Sequence, residues 1–294
     1  MTVALTLKVN DGLVLAADSA STIASFGPEG VASVVNVYNN ANKIFNLRKG
    51  LPIGLATWGL GSISETSIET LAKDLRQRFT GDDPTHEDWH LDPQTFTVQA
   101  VAERVREFMY DEKYLPAMAQ LEEGNTLTAL GFFVVGYSAN VSHAEEYSLL
   151  LTPEGLIGPT LLREAHETGV QWAGQLEAIQ RLLIGYSQGL ESAMVSELGL
   201  AGDDVPEKLE KLREMFGAPV VSPAMPIQDA IELAEFLVDL SIKFSRFMPG
   251  SPTVGGPIEC AAISKHEGFK WISRKHYYHQ SLNPQEGRSA WITS

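Results

Sequence analysis

One cysteine among 294 residues, Cys260, excludes an intramolecular disulfide and fits a reducing cytoplasm. It lies in an apolar, strand-like run, where a packed thiol is the expected role. Basic residues are also few: 22 Lys and Arg against 37 Asp and Glu give a net charge of −15, which argues against a nucleic-acid surface. No apolar run reaches the roughly 18–20 residues that cross a bilayer. Lys8, Asn10 and Asp11 interrupt the N-terminal stretch before a secretory core forms. Neither a Gly-x-Ser-x-Gly elbow nor a full nucleotide-binding glycine loop occurs, since Gly59-Leu-Gly61 lacks the remaining glycine. No cofactor is expected. With no internal repeat, low-complexity tract or linker, residues 1–294 are expected to form one domain.

The patterns that are present read as strands at both ends with helices between. Val3, Leu5, Leu7 and Val9 alternate, Asn10-Asp11-Gly12 signals a hairpin turn, and residues 13–17 are continuously apolar. Residues 23–41, rich in Gly, Asn and Ser, are expected to be irregular. Strands are expected at 43–47 and 52–58, and helices at 62–79 and 97–122. Further strands are expected at 128–137, 146–151 and 170–173. An enlarged helical region follows at about 175–246, broken near 199–204 and 217–226. Residues 257–264 and 269–272 close the chain as a strand pair. This order suits an α+β fold with stacked antiparallel sheets and helices outside, rather than an alternating parallel sheet.

Thr2 carries the most chemistry. Removal of Met1 would give Thr2 a free α-amine, placing a nucleophilic hydroxyl and a base on one residue. The hairpin at residues 10–12 returns the chain so that Asp18 lies near Thr2. Lys43 shares a strand face with Phe45 and Leu47, where a lysine is costly unless paired. Asp18 has the converse need at the end of an apolar strand. Pairing the two would satisfy both and set a cation beside the threonine, favouring its alkoxide and neutral amine.

The stretch from Thr2 to Asp18, ending in Gly12-Leu-Val-Leu-Ala-Ala-Asp18-Ser19, resembles the opening of proteasome β-type subunits, in which an Asp follows the N-terminal Thr by 18 − 2 = 16 positions. Asn42-Lys43-Ile44-Phe45 is similar to the family's lysine segment. Gly54-Leu-Ala-Thr-Trp-Gly59 and Val254-Gly-Gly-Pro-Ile-Glu-Cys-Ala-Ala-Ile-Ser264 resemble two later segments. The resemblance implies a four-layer αββα sandwich of the N-terminal-nucleophile hydrolases. It further implies peptide-bond hydrolysis through an acyl-enzyme on Thr2, with peptide or unfolded protein as substrate, and self-assembly into rings or helical multimers. By the same correspondence Thr2, Asp18 and Lys43 are catalytic, and the oxyanion amide comes from Thr57 or the nearby Gly59. Ser21, Ala41, Phe45 and Leu55 would line the substrate pocket. Ser19, Gln175 and Ser251 stand at supporting places; Gln175 and Ser251 replace the family's usual Ser and Asp. These departures and the enlarged helical region make the chain look more like a bacterial proteasome-related branch, such as the Anbu group. Whether an ATPase partner exists is left open.

Two other readings compete. A catalytically silent assembly subunit would keep the fold, and Gln175 and Ser251 favour it. His86-Glu87-Asp88-Trp89-His90 matches a zinc-protease pattern, with Glu87 as base. Its helix-breaking flanks make a solvated acidic loop the better expectation and no metal is expected. His276 and His279 are expected at the surface, and Tyr277-Tyr278 to pack.

Overall fold

The computed structural model describes residues 2–26, 32–121, 126–200 and 202–276. Met1, Tyr277, Tyr278 and His279 lie outside the described residues. The N-terminal hairpin forms as the alternation and its turn require: β1 (Val3–Val9) pairs antiparallel with β2 (Gly12–Ala17). Two strands then follow where irregular chain was expected, β3 (Ser21–Phe26) and β4 (Ala32–Tyr38), paired with each other and with no strand of the large sheets. Their β-branched residues suit a ladder. Ile23, Val35 and Tyr38 stay exposed, so no hydrophobic face marked these strands in the sequence.

β5 (Ile44–Asn46) and β6 (Ile53–Gly59) follow, then a small hairpin, β7 (Ser62–Ile63) with β8 (Thr66–Ser67), where helix was expected to begin. α1 (Ile68–Thr80) starts only after Ser67, whose side chain caps the Thr70 N–H. The expected helix at 97–122 is α2 (Val98–Arg106), a π-helical stretch over Glu107–Tyr114, and α3 (Leu115–Ala119). β9 (Leu130–Gly136) and β10 (Glu145–Thr152) come next. β11 (Gly155–Leu161) was not expected; its glycines and Pro159 read as loop, a composition an edge strand tolerates. β12 (Gly169–Gly174) leads into four separate helices, α4 (Glu177–Leu183), α5 (Leu190–Ser196), α6 (Val205–Phe216) and α7 (Ile227–Phe247). β13 (Glu259–Ser264) and β14 (Gly268–Ser273) close the described chain.

The long strands build two five-stranded antiparallel sheets, ordered β12-β1-β2-β13-β14 and β11-β10-β9-β6-β5, so the architecture is α+β. Alternation along each strand divides the apolar residues among three clusters. Ala4, Leu13, Leu15 and Ala261 of the first sheet meet Ile44, Ala56, Phe133 and Val135 of the second. The other faces meet helices: Val3, Leu5, Leu7 and Val14 pack with Ala234, Leu237 and Val238 of α7. Leu55, Phe132 and Val134 pack with Leu71 and Leu75 of α1 and Val101 and Val105 of α2. Cys260 is wholly buried in the cluster beneath α7, and burial pushes its thiol up to about 12. No helix among the described residues is long and apolar enough to cross a membrane.

Candidate functional site

Register in the first hairpin sets the geometry. Ala4 lies opposite Ala17, so the residues just beyond the pair, Val3 and Asp18, meet at the strand ends. The Asp18 N–H donates to the Val3 carbonyl at 3.2 Å, and the Val3 N–H donates to Asp18 Oδ1 at 3.0 Å. Asp18 is fully buried and its acceptor sites are filled. Lys43 Nζ donates to Oδ1 at 2.6 Å, while the N–H groups of Ala20 and Gly255 each donate to Oδ2 at 3.0 Å. Burial pushes the Lys43 ammonium below the usual lysine value, and the Asp18 charge and hydrogen bond offset only part of that fall. Lys43 thus gives up its proton more readily than a surface lysine, a property suited to proton handling.

Behind this pair stands a second one that sequence reasoning did not identify. Glu259, 1 % exposed on β13, accepts the Lys43 N–H at 2.8 Å and the Ile44 N–H at 3.4 Å through Oε2. Lys275 Nζ lies 3.6 Å from Glu259 Oε1. It also donates to the Ala41 carbonyl at 2.5 Å and to Ser19 Oγ. Burial raises Glu259 and lowers Lys275. The signal was present: Glu259 opens a largely apolar strand, and a buried carboxylate demands partners. Glu259 therefore fixes the backbone at Lys43 while Asp18 fixes its side chain.

Thr2 is 4 % exposed, and its carbonyl accepts the Gln175 N–H at 2.7 Å. Among the described residues its hydroxyl makes no hydrogen bond. Thr2 and Lys43 line one cavity of about 190 Å³ with Ser21, Ala41, Thr57 and Gly59. Two of the expected pocket residues do not reach it. Leu55 is fully buried in the core beneath α1, and Phe45, also in that core, borders a neighbouring cavity instead. Their strand face turns toward the helices, which the notion of a shared pocket had not accounted for. Ser19 is buried, donating to the Pro257 carbonyl, whereas Ser251 is exposed and Gln175 meets Thr2 through its backbone.

The Thr57 amide is committed: its N–H donates to the Lys43 carbonyl at 3.0 Å, so it cannot also serve an oxyanion without breaking the β5–β6 ladder. Amides along a strand point alternately to either side. Leu60 donates toward β9, to the Ala129 carbonyl, so Gly59 N–H, like that of Thr57, is directed away from β9 and toward the cavity side. Gly59 adopts φ +89°, and a Cβ there would sit 2.2 Å from the Ala129 carbonyl oxygen.

Gly174 is constrained even more tightly, at φ +86° with a built Cβ only 1.8 Å from the Thr2 carbonyl oxygen. Gly174→Ala should lower stability by about 2–5 kcal/mol through left-handed strain and backbone collision. Urea unfolding measures this, and a midpoint unchanged from wild type would refute the close approach of β12 to Thr2.

The His86–His90 segment does not form the helical face that the zinc pattern requires. Glu87–Trp89 is a short 3₁₀ turn with Trp89 buried, and His86 Nδ1 is engaged by Asp83 Oδ2 at 2.7 Å. Among the described residues no group of three His, Cys, Asp or Glu side chains is arranged to hold a metal. His276 is exposed.

No protein-family model and no curated protein matches the chain. Among solved structures it is similar to Anbu (ancestral beta-subunit) from Yersinia bercovieri, with a TM-score of 0.47 and 12% identity over 94% of this chain and 89% of that one. It is also similar to an Anbu (Gly-1) mutant from Hyphomicrobium sp. strain MC1, with a TM-score of 0.48 and 14% identity over 96% and 91% of the two chains.

Proposed function

We propose that this chain is a proteasome-like N-terminal-threonine peptidase, a single domain of four αββα layers with an enlarged helical region. The observation that carries the reading is Lys43, held 2.6 Å from the buried Asp18 and lining the same cavity as Thr2, whose hydroxyl makes no hydrogen bond among the described residues. In a form that begins at Thr2, the hydroxyl oxygen attacks a peptide carbonyl and its proton passes to the α-amine. The tetrahedral oxyanion is held by Gly59 N–H. Collapse expels the amine fragment, which takes the proton, and leaves an ester on Thr2. Water activated by the same amine then cleaves the ester and restores the hydroxyl. Lys43 stabilises the alkoxide, and Asp18 holds Lys43 in place. Peptides or unfolded proteins are the substrates, and the active form is a homo-oligomer, ring or helical.

A second reading, a silent assembly subunit, draws on two observations. Ser251 is exposed, and the recorded bond from Gln175 to Thr2 is a backbone one. Neither side chain is thereby enlisted to control the amine. Intact mass measured before and after incubation with a peptide epoxyketone separates the readings, because the warhead closes a ring using both a hydroxyl and a free amine. A chain that begins at Thr2 and gains one inhibitor supports the peptidase. The same chain gaining nothing supports the silent subunit.

A further inference from the structure

We propose that a cationic cavity beside the Thr2 cleft binds a multiply charged oxyanion of the phosphate class. It goes beyond the peptidase reading and does not rest on it. The cavity, about 270 Å³, adjoins a second of about 280 Å³, and Lys49, Lys73, Arg76 and Arg274 line both. These residues come from three places: the turn after β5, the outer face of α1, and the segment leaving β14. Such a convergence of cations is unexpected on a chain whose net charge is −15.

The charges within it do not balance. Lys73 is paired with Glu69 at 2.6 Å, Glu259, on the cavity wall, is occupied by the Lys43 and Ile44 N–H groups and by Lys275, and Asp82, on the wall of the second cavity, accepts from Thr80 Oγ1 at 2.9 Å, leaving four cations against three carboxylates already engaged. Among the described residues, Lys49, Arg76 and Arg274 have no carboxylate within salt-bridge distance. Among the described residues, Arg76 Nε is buried with no hydrogen-bond partner, an arrangement that is costly unless something accepts from it. Burial, and after it the neighbouring Arg274 charge, lower the Arg76 pKa. Arg274 is held over the Trp271 ring, 4.9 Å from its centroid, which places its guanidinium at the mouth of the cavity.

Guanidinium groups pair with planar or tetrahedral oxyanions through two parallel N–H bonds. A single carboxylate would neutralise one of three unpaired cations. A phosphate or diphosphate supplies the charge and the acceptor atoms that Arg76, Arg274 and Lys49 lack. The cavity shares Asn42 and Glu69 with the Thr2 cavity, so an anion bound there would sit next to the cleft without entering it.

Calorimetric titration of the full chain with inorganic pyrophosphate, with acetate as the single-charge control, tests this without recourse to hydrolysis. One saturable site is expected, weakened at least tenfold in Arg274→Gln and in Arg76→Gln and weakened by added salt. Arg274 is exposed, so its replacement leaves the fold intact and decides the matter if Arg76→Gln fails to fold. No saturable heat with pyrophosphate, binding that Arg274→Gln leaves unchanged, or acetate binding as tightly as pyrophosphate would each overturn the proposal. Because the readout is heat of binding, an inactive Thr2 leaves the result untouched.

Discussion

Thr2→Ala should abolish hydrolysis of a fluorogenic peptide, by at least about a thousandfold, while leaving the fold and its urea midpoint almost unchanged. The two halves of this expectation come from different features. The loss follows because the variant keeps the α-amine, Lys43 and the Gly59 amide but has no oxygen to form the acyl bond. The retained stability follows because the Thr2 hydroxyl makes no hydrogen bond among the described residues, while its carbonyl still accepts the Gln175 N–H. The variant loses one unbonded hydroxyl and one methyl group, which together cost about 1 kcal/mol. Thr2→Ser is the necessary companion, since it keeps oxygen and amine and loses only a methyl group; it should retain measurable turnover. Equal residual rates in wild type, Thr2→Ala and Thr2→Ser would assign any hydrolysis to another site. A chain beginning at Thr2 with no turnover in all three would point to the silent subunit.

The sequence carried local information well and long-range information poorly. Alternation in residues 3–9 and the Asn10-Asp11-Gly12 turn were enough to set the register that brings Asp18 to the Val3 amide. The cost of a core-facing lysine was enough to pair Lys43 with Asp18. The hairpin β3–β4 escaped because its exposed apolar residues leave no one-sided pattern to read. β11 escaped because glycine and proline, which punctuate most strands, are tolerated at a sheet edge. Glu259 lies 259 − 43 = 216 positions from the amide it accepts, a separation no local pattern spans. The proposed oxyanion donor turns on strand parity, which requires knowing where β5 ends: the Thr57 N–H still donates to the Lys43 carbonyl, whereas Gly59 lies beyond the end of that ladder. Phe45 and Leu55 lie on cleft-forming strands, yet they face the helices, a distinction that needs the second sheet in place.

Asp18→Ala should be the most destabilising single change at the site, costing about 3–5 kcal/mol in urea unfolding. Asp18 accepts from three backbone amides and from Lys43 Nζ, all within 3.0 Å and all out of water. Its removal leaves three donors unsatisfied and one ammonium buried without a counter-charge. Lys43→Met should cost less, because the three amides still hold the carboxylate and a methionine fills the lysine's apolar stem. Adding Lys43→Met to Asp18→Ala should then recover stability relative to Asp18→Ala alone, since the orphaned cation is gone; a double variant less stable than both singles would deny the pairing. The two single variants should diverge in the opposite sense for catalysis relative to stability: Lys43→Met loses turnover more than its modest unfolding cost suggests. The pH dependence has a definite sign. Burial lowers the Lys43 pKa, so between that lowered value and the unfolded lysine's 10.5 the unfolded chain binds the extra proton. Stability attributable to Lys43 therefore rises with pH across that interval and is lost as pH falls through the folded value. Lys43→Met should flatten that rise, whereas a slope identical to wild type would mean that the ammonium is solvated in the folded protein and that Asp18 is held by its backbone donors alone.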